Sequence, residues 1–351
     1  MKKKLAMKNR FVMMSAALTL ALALSACGNT AEPTGAQQSE TPTPEASKYP
    51  ITIQNFAKPE GGTEWEPKEQ VFDKAPERVM ANTRPAAELL LHLGLGDKIV
   101  GVGANFGAPD PTVEEEYNKL NILADSYVGK EVTLGTNPDL VYGRGGLFDN
   151  ADWGVGTVDS LNEIGVKTYV WESSVTGGSY ASIYKDIENL GKIFDVEDKA
   201  AAFAKELKDR QEEIASRLSS ITEQKKFAYL HMSDPNEVYV YAAQKETFFN
   251  DSFNMVKLDN AFKDTPGEVS VETLIDTDPD VLIIPDWTGE DSAGAQALKD
   301  ALYSNPKLSS MKAIKNKQIF AVDYNYMFGY SYNTIDGMEK LAGEMYPDLF
   351  K

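Results

Sequence analysis

The stretch VETLIDTDPDVLIIPDW, Val271 to Trp287, places a glutamate seven residues ahead of a proline, then an aspartate and the apolar run Val-Leu-Ile-Ile. Nearly the same order stands 141 residues earlier, in KEVTLGTNPDLVYGRGG from Lys130 to Gly146, where Glu131 and Pro138-Asp139 match Glu272 and Pro279-Asp280. A short amphipathic segment, a Pro-Asp turn and an unbroken apolar run read as a helix feeding a strand buried on both faces, the habit of parallel sheets. Its recurrence at long range predicts two α/β halves built on one plan.

Outward from these copies the βα alternation continues. In the first half, RVMANT (Arg78 to Thr83), KIVGVGA (Lys98 to Ala104), DLVYG after Pro138 and KTYVWES (Lys167 to Ser173) read as strands. The Arg84 to Asp97 segment reads as a helix, with Pro85 in a first turn where its missing N–H is not needed. In the second half the strands are KFAYLHM (Lys226 to Met232), VYVYA (Val238 to Ala242), DVLIIPD (Asp280 to Asp286) and QIFAVD (Gln318 to Asp323). Between the halves, Ser179 to about Ile221 is helical almost throughout, with a break near Phe194-Asp195. The expected organisation is an N-terminal lobe at 48–192, an interlobe helix at 193–222 and a C-terminal lobe at 223–351. This is an α/β fold of two Rossmann-like lobes bridged by a single long α-helix, with a ligand cleft between them.

The N-terminus is of another kind. Lys2, Lys3, Lys4, Lys8 and Arg10 precede an apolar run, Phe11 to Leu24, too short to span a bilayer comfortably, and Leu24-Ser25-Ala26-Cys27 follows. Residues 1–26 thus resemble a lipoprotein signal peptide, which implies cleavage before Cys27, a diacylglycerol on its thiol and a lipid-anchored location on the extracytoplasmic face of the cell membrane. Residues 27–47, poor in large apolar side chains and rich in Pro, Thr, Ser, Gln and Glu, read as a disordered tether. Cys27 is the only cysteine, so intramolecular disulfides and cysteine metal clusters are excluded.

Composition narrows the partners. The formal charge is -18 and becomes about -23 once the five basic residues of the signal leave, so nucleic acid is not an expected partner. There is no G-x-S-x-G elbow, phosphate-cradling loop or metal-spaced histidine pair, so no enzyme activity and no resident cofactor are expected. Two histidines cannot supply a site for bare zinc or manganese.

Several motifs in order, PERV (Pro76 to Val79), LGLGDKIVGV (Leu93 to Val102), NPDLVYG (Asn137 to Gly143), LNEIGVKTYV (Leu161 to Val170), LGKIFDVEDKA (Leu190 to Ala200), DPDVLIIP (Asp278 to Pro285) and AIKNKQIFAVD (Ala313 to Asp323), resemble the solute-binding proteins of ABC importers for iron-siderophores, haem and vitamin B12. The resemblance implies capture of a small molecule and delivery to an ABC permease and its ATPase; the alternative is a ligand-sensing or adhesion lipoprotein without transport, against which the paired glutamates argue. In the vitamin B12-binding member, one glutamate per lobe, seven residues ahead of the strand-opening proline, docks onto permease arginines. Glu131 and Glu272 hold those positions, and each also suits the first turn of a helix.

In open α/β sheets, ligands collect beyond the carboxyl ends of the strands. The candidate ligand-binding residues are therefore Asn82, Arg84, Asn105, Phe106, Arg144 and Glu172 in the first lobe, and Met232, Tyr241, Trp287, Tyr324 and Tyr326 in the second. Past the signal only five arginines occur, and Arg84 and Arg144 each follow a strand, pointing to an anionic ligand unless a neighbouring carboxylate pairs with them. Trp287 and the cluster DYNYMFGYSY (Asp323 to Tyr332) offer aromatic faces. A ferric siderophore or similar anionic iron chelate fits this set best, with a corrinoid next and haem third. His92 reads as structural, while His231 ends a strand within conceivable reach of a haem iron.

Overall fold

The computed structural model describes residues 48–351 other than 60, 61, 235, 290 and 291. The signal segment 1–26, Cys27 and the tether 27–47 lie outside the described residues.

Two separate sheets carry the repeated plan. The first lobe has β3 (Val79–Ala81), β4 (Ile99–Val102), β5 (Leu140–Gly143) and β6 (Lys167–Val170) in the order β4-β3-β5-β6, every neighbour parallel. The second has β7 (Lys225–Leu230), β8 (Val240–Tyr241), β9 (Leu258–Asn260), β10 (Val281–Asp286) and β11 (Ile319–Asp323). Its order is β11-β10-β7-β8, with β9 also on β7, and β8 alone runs antiparallel. The apolar runs are buried along their whole length in β5 and β10, as strands covered by helices on both faces must be.

The repeated Pro-Asp has a structural role in both lobes. Asp139 accepts the backbone N–H groups of Glu77 and Arg78, each at 2.9 Å, and so fixes the entry to β3. Asp280 does the same for β7, accepting from Lys226 N at 3.0 Å. The residue before each proline, Asn137 at φ 49° or Asp278 at φ 46°, turns the chain from helix to strand through the left-handed region that Asn and Asp tolerate.

Between the sheets the chain forms a helix Ser182–Phe194, breaks at Asp195 in the left-handed conformation, and continues as the Glu197–Arg217 helix. The latter touches both lobes. Its Phe203 stacks on His92 at 4.4 Å between ring centroids, while its Arg210 pairs with Asp336 and Glu339 on the C-terminal helix Thr334–Met345.

Three strands escaped the sequence reading. One is the short β9; the others form an antiparallel hairpin, β1 (Ile51–Ala57) and β2 (Glu66–Phe72). The hairpin buries only alternate residues on one side, so neither strand has the unbroken apolar run that marks the others.

Candidate functional site

The carboxyl ends of the strands converge between the lobes. Loop 105–110, leaving β4, is tied to the residues leaving β11: Ala108 N donates to Asp323 Oδ2 at 2.9 Å, and Asn325 Nδ2 donates to Phe106 O. Gly107 makes this approach possible. Its φ is +73°, and a Cβ there would lie 2.5 Å from Asn325 Nδ2. Farther along the joint, Tyr332 donates to Asp110 Oδ2 at 2.7 Å, and Ser173 Oγ donates to Tyr330 O at 2.7 Å.

Beside this joint lies an aromatic cleft. Trp287 and Tyr324 stack at 4.8 Å, and Tyr324 stacks on Phe328 at 5.1 Å. His231 packs edge-on against Trp287 at 5.2 Å and Phe328 at 5.4 Å. From the first lobe, Phe106 meets Tyr324 at 6.1 Å and Tyr127 at 5.1 Å. Trp287 is oriented by its indole N–H, which donates to Met232 O at 3.0 Å.

Arg144 enters this aromatic wall from the end of β5. Its guanidinium lies 5.2 Å from the Tyr330 ring centre, with the phenols of Tyr324 and Tyr127 around it. Among the described residues it forms no ion pair with a carboxylate. Its backbone is held by Asn82, whose amide accepts from Arg144 N and donates to Arg144 O, both at 2.9 Å. Tyr330 and Tyr241 are held in turn by one carboxylate, Glu246, which accepts both phenolic O–H groups. Burial lowers the His231 pKa, so the imidazole is neutral at pH 7, and its Nδ1 has no partner among the described residues.

Of the candidates, Phe106, Arg144, Tyr241, Trp287 and Tyr324 come together here, and six do not face the cleft with free groups. The Asn82 amide is engaged with the Arg144 backbone through both its oxygen and its nitrogen. Arg84, 8% exposed, turns inward, donates to Phe106 O at 3.2 Å and covers the Tyr117 ring. Asn105 is held by Asp125 and Tyr117. The Met232 side chain is buried and contributes its carbonyl to Trp287. Glu172 accepts from Ser182 Oγ at 3.1 Å. Tyr326 lines a different cavity, of ≈ 220 Å³, with Glu114, Asp323 and Lys340. For Asn82, Arg84 and Asn105 the cause is that polar side chains after a buried strand are consumed by the neighbouring loops and side chains packed against them.

Tyr127, Glu246, Phe328 and Tyr330 were not singled out as site residues by sequence. Phe328 and Tyr330 lie in the aromatic cluster Asp323 to Tyr332, whereas Tyr127 and Glu246 stand in loops without a motif. Asp286, at the end of β10, ties its own turn by accepting from Thr288 N, Gly289 N, Ser292 N and Ser292 Oγ. Desolvation opposes its charge, but these bonds prevail and its pKa is lowered. His92 is packed between Phe203 and Tyr332 and bonded to Asp110 at 2.8 Å.

Glu131 and Glu272 are exposed, each in the first turn of a helix, Lys130–Gly135 and Val271–Thr277. The first of these helices begins beside the end of β4, where Ala104 N donates to Ser126 O at 3.0 Å. The second begins beside the end of β7, since Val269 bridges to Val240, which pairs with Leu230. Both carboxylates therefore lie on the edge of the molecule where the strands end, the edge that carries the cleft. The Glu272 pKa is lowered by hydrogen bonds from its own backbone N–H and from Ser270.

Comparison with known proteins agrees with this architecture. Residues 79–326 match the family model described as periplasmic binding protein. An uncharacterized ABC transporter substrate-binding lipoprotein of Bacillus subtilis, YvrC, is 27% identical over 350 residues, covering 98% of this chain and all of that protein. A cobalamin-binding protein of Halobacterium salinarum is 23% identical, over 77% of this chain and 70% of its own length. The petrobactin-binding protein YclQ of Bacillus subtilis is 24% identical, over 90% of this chain and 91% of its own length.

Proposed function

The chain belongs to the periplasmic binding protein family, and from that premise we propose that it captures a ferric siderophore or related anionic iron chelate and hands it to an ABC permease. Its general class is the substrate-binding protein of an ABC importer for ligands of the siderophore, haem or B12 type, working with a permease and an ATPase. The observation that carries the finer reading is Arg144. A guanidinium that stays charged at any physiological pH, set among phenols with no carboxylate paired to it among the described residues, is arranged for an anion with flat ligand groups. The petrobactin-binding relative supports an iron chelate.

The remaining parts of the reading follow. Cys27 carries the lipid that keeps the protein at the extracytoplasmic face, and residues 28–47 serve as the tether. Glu131 and Glu272, one per lobe and on the cleft-bearing edge, contact basic groups of the permease, so the complex senses both lobes together. The protein catalyses nothing; no reacting step is asked of the cleft. A corrinoid is the second reading, favoured by the cobalamin-binding relative.

The test is quenching of tryptophan fluorescence on titration with catecholate, hydroxamate and citrate complexes of iron(III), cobalamin and haem, for the unaltered chain and for Arg144→Gln. An iron chelate should bind, and the substitution should weaken it about tenfold to a hundredfold, as loss of one charge-assisted contact does. Binding of cobalamin alone, indifferent to Arg144→Gln, would replace the first reading by the second.

A further inference from the structure

The β1–β2 hairpin precedes the 79–326 segment that the family model covers. It is fastened to the free edge of β6 by buried amides. Asn55 Nδ2 donates to Thr168 O at 3.0 Å, Val170 N donates to Asn55 Oδ1 at 2.8 Å, and Thr168 N donates to Gln70 Oε1 at 3.3 Å. These bonds stand where a further strand's ladder would be, and Asn55 is wholly buried. The hairpin is thus a fixed part of the first lobe.

Trp65, where the chain enters β2, reaches the cleft. Its Cζ2 would lie 3.1 Å from a Cβ on Gly145, the residue after Arg144, so the indole lies directly against the loop that presents the guanidinium. Beyond Trp65 is a cavity of ≈ 340 Å³ between the lobes, walled by Glu64, Trp65 and Thr176 on one side and by Gln244, Lys245 and Glu246 on the other. Tyr330 stands at its border with the cleft, its ring beneath Arg144 and its hydroxyl donating to Glu246 at 2.7 Å.

The geometry points to a second ligand subsite here: the cavity takes a hydrogen-bond-donating arm, an amine or amide, pendant from the chelate whose anionic core lies at Arg144. Two carboxylates against one ammonium make the wall net acidic, the opposite of the Arg144 side. Glu246 accepts two phenols and keeps lone pairs to spare, because a carboxylate offers about four. The Trp65 ring already attracts one ammonium, Lys58 Nζ at 5.0 Å from its centre. The volume is at the low end for a whole small molecule and suits an arm.

This inference rests on the anionic-chelate reading. Two iron(III) complexes test it by isothermal titration calorimetry: the tris-catecholate without side arms, and a catecholate complex whose ligand carries a linear polyamine chain. The unaltered protein should bind the armed complex at least about tenfold more tightly. Thr176→Trp, which fills the cavity from an exposed position, should reduce that ratio to below about threefold while leaving the unarmed complex unchanged, and Trp65→Ala, which removes the wall, should reduce the ratio likewise. Thermal melting verifies that both variants fold. Binding of both complexes with a ratio that neither substitution moves overturns the subsite alone; failure of both complexes to bind the unaltered chain overturns the chelate reading and the subsite with it.

Discussion

Glu88 belongs to the Arg84–His92 helix and is wholly buried where the first lobe meets Tyr332 and the C-terminal helix. Its Oε1 accepts from Asp110 N at 2.9 Å, and its Oε2 has no partner among the described residues. Burial is the main influence and pushes its pKa up to about 8; the Asp110 N–H and Arg84 pull it down, while the Asp110 and Asp336 carboxylates push it further up. The neutral acid is then the form the folded chain accommodates, with the proton on the oxygen that lacks a donor. Its stabilising contribution is complete below the unfolded value of 4.5 and is lost as pH rises through about 8. At about 1.4 kcal/mol per pH unit, the whole interval corresponds to about 5 kcal/mol.

Glu88→Gln removes the titration while keeping an oxygen for Asp110 N and an N–H donor in place of the acid proton. Urea denaturation followed by tryptophan fluorescence should therefore place the two proteins within about 1 kcal/mol of each other at pH 5. Between pH 5 and pH 9 the unaltered protein should lose about 3 to 5 kcal/mol more than the variant. Asp186, buried and raised to about 7, adds a slope of the same sign to both proteins, so the difference between them isolates Glu88. Equal losses in the two proteins across this range would refute the assignment of a neutral Glu88.

Two further expectations concern the docking edge and the hairpin. Reversing charge at Glu131 and Glu272 together, each to Arg, should abolish uptake in cells while calorimetric ligand affinity stays within about twofold; a matching fall in affinity would mean that the pair serves the cleft and not the permease. Asn55→Ala leaves Val170 N and Thr168 O without their side-chain partner inside the lobe, at about 1 to 3 kcal/mol for each orphaned group. Denaturation should show a loss of about 2 to 5 kcal/mol, and a loss under about 1 kcal/mol would mean the hairpin is not fastened by that amide.

The two-lobed plan was legible in the sequence because it rests on local pattern. Buried parallel strands need unbroken apolar runs, so β5, β7, β10 and β11 announce themselves, and the helical stretch that follows the first lobe breaks near Phe194-Asp195, where Asp195 adopts the left-handed conformation. The hairpin went unread because half-buried strands held by side-chain amides carry polar residues throughout, as GTEWEPKEQVF does. The site was legible in part. Trp287 and Tyr324 directly follow strands and face the cleft, yet Asn82 and Arg84 also stand just after a strand and are engaged by the backbone of the neighbouring loops, at Arg144 and Phe106. Position along the chain says which residues arrive at the strand ends; it does not say whose polar atoms the turns will consume.

Arg144 shows where the division falls. Its residue type, its place after β5 and the scarcity of arginines are properties of the chain alone, and so is the pairing of Glu131 with Glu272 across the two copies of the plan. That Arg144 meets phenols instead of a carboxylate depends on Tyr324 and Tyr330, some 180 residues away, brought in by the second lobe. That Glu246 steadies the Tyr330 phenol, and that Trp65 closes the far side, depends on the hairpin and on a loop with no pattern of its own. Periodic burial is encoded within one element and can be read there; the electrostatic surroundings of a charge are set by whichever distant elements the packing places beside it.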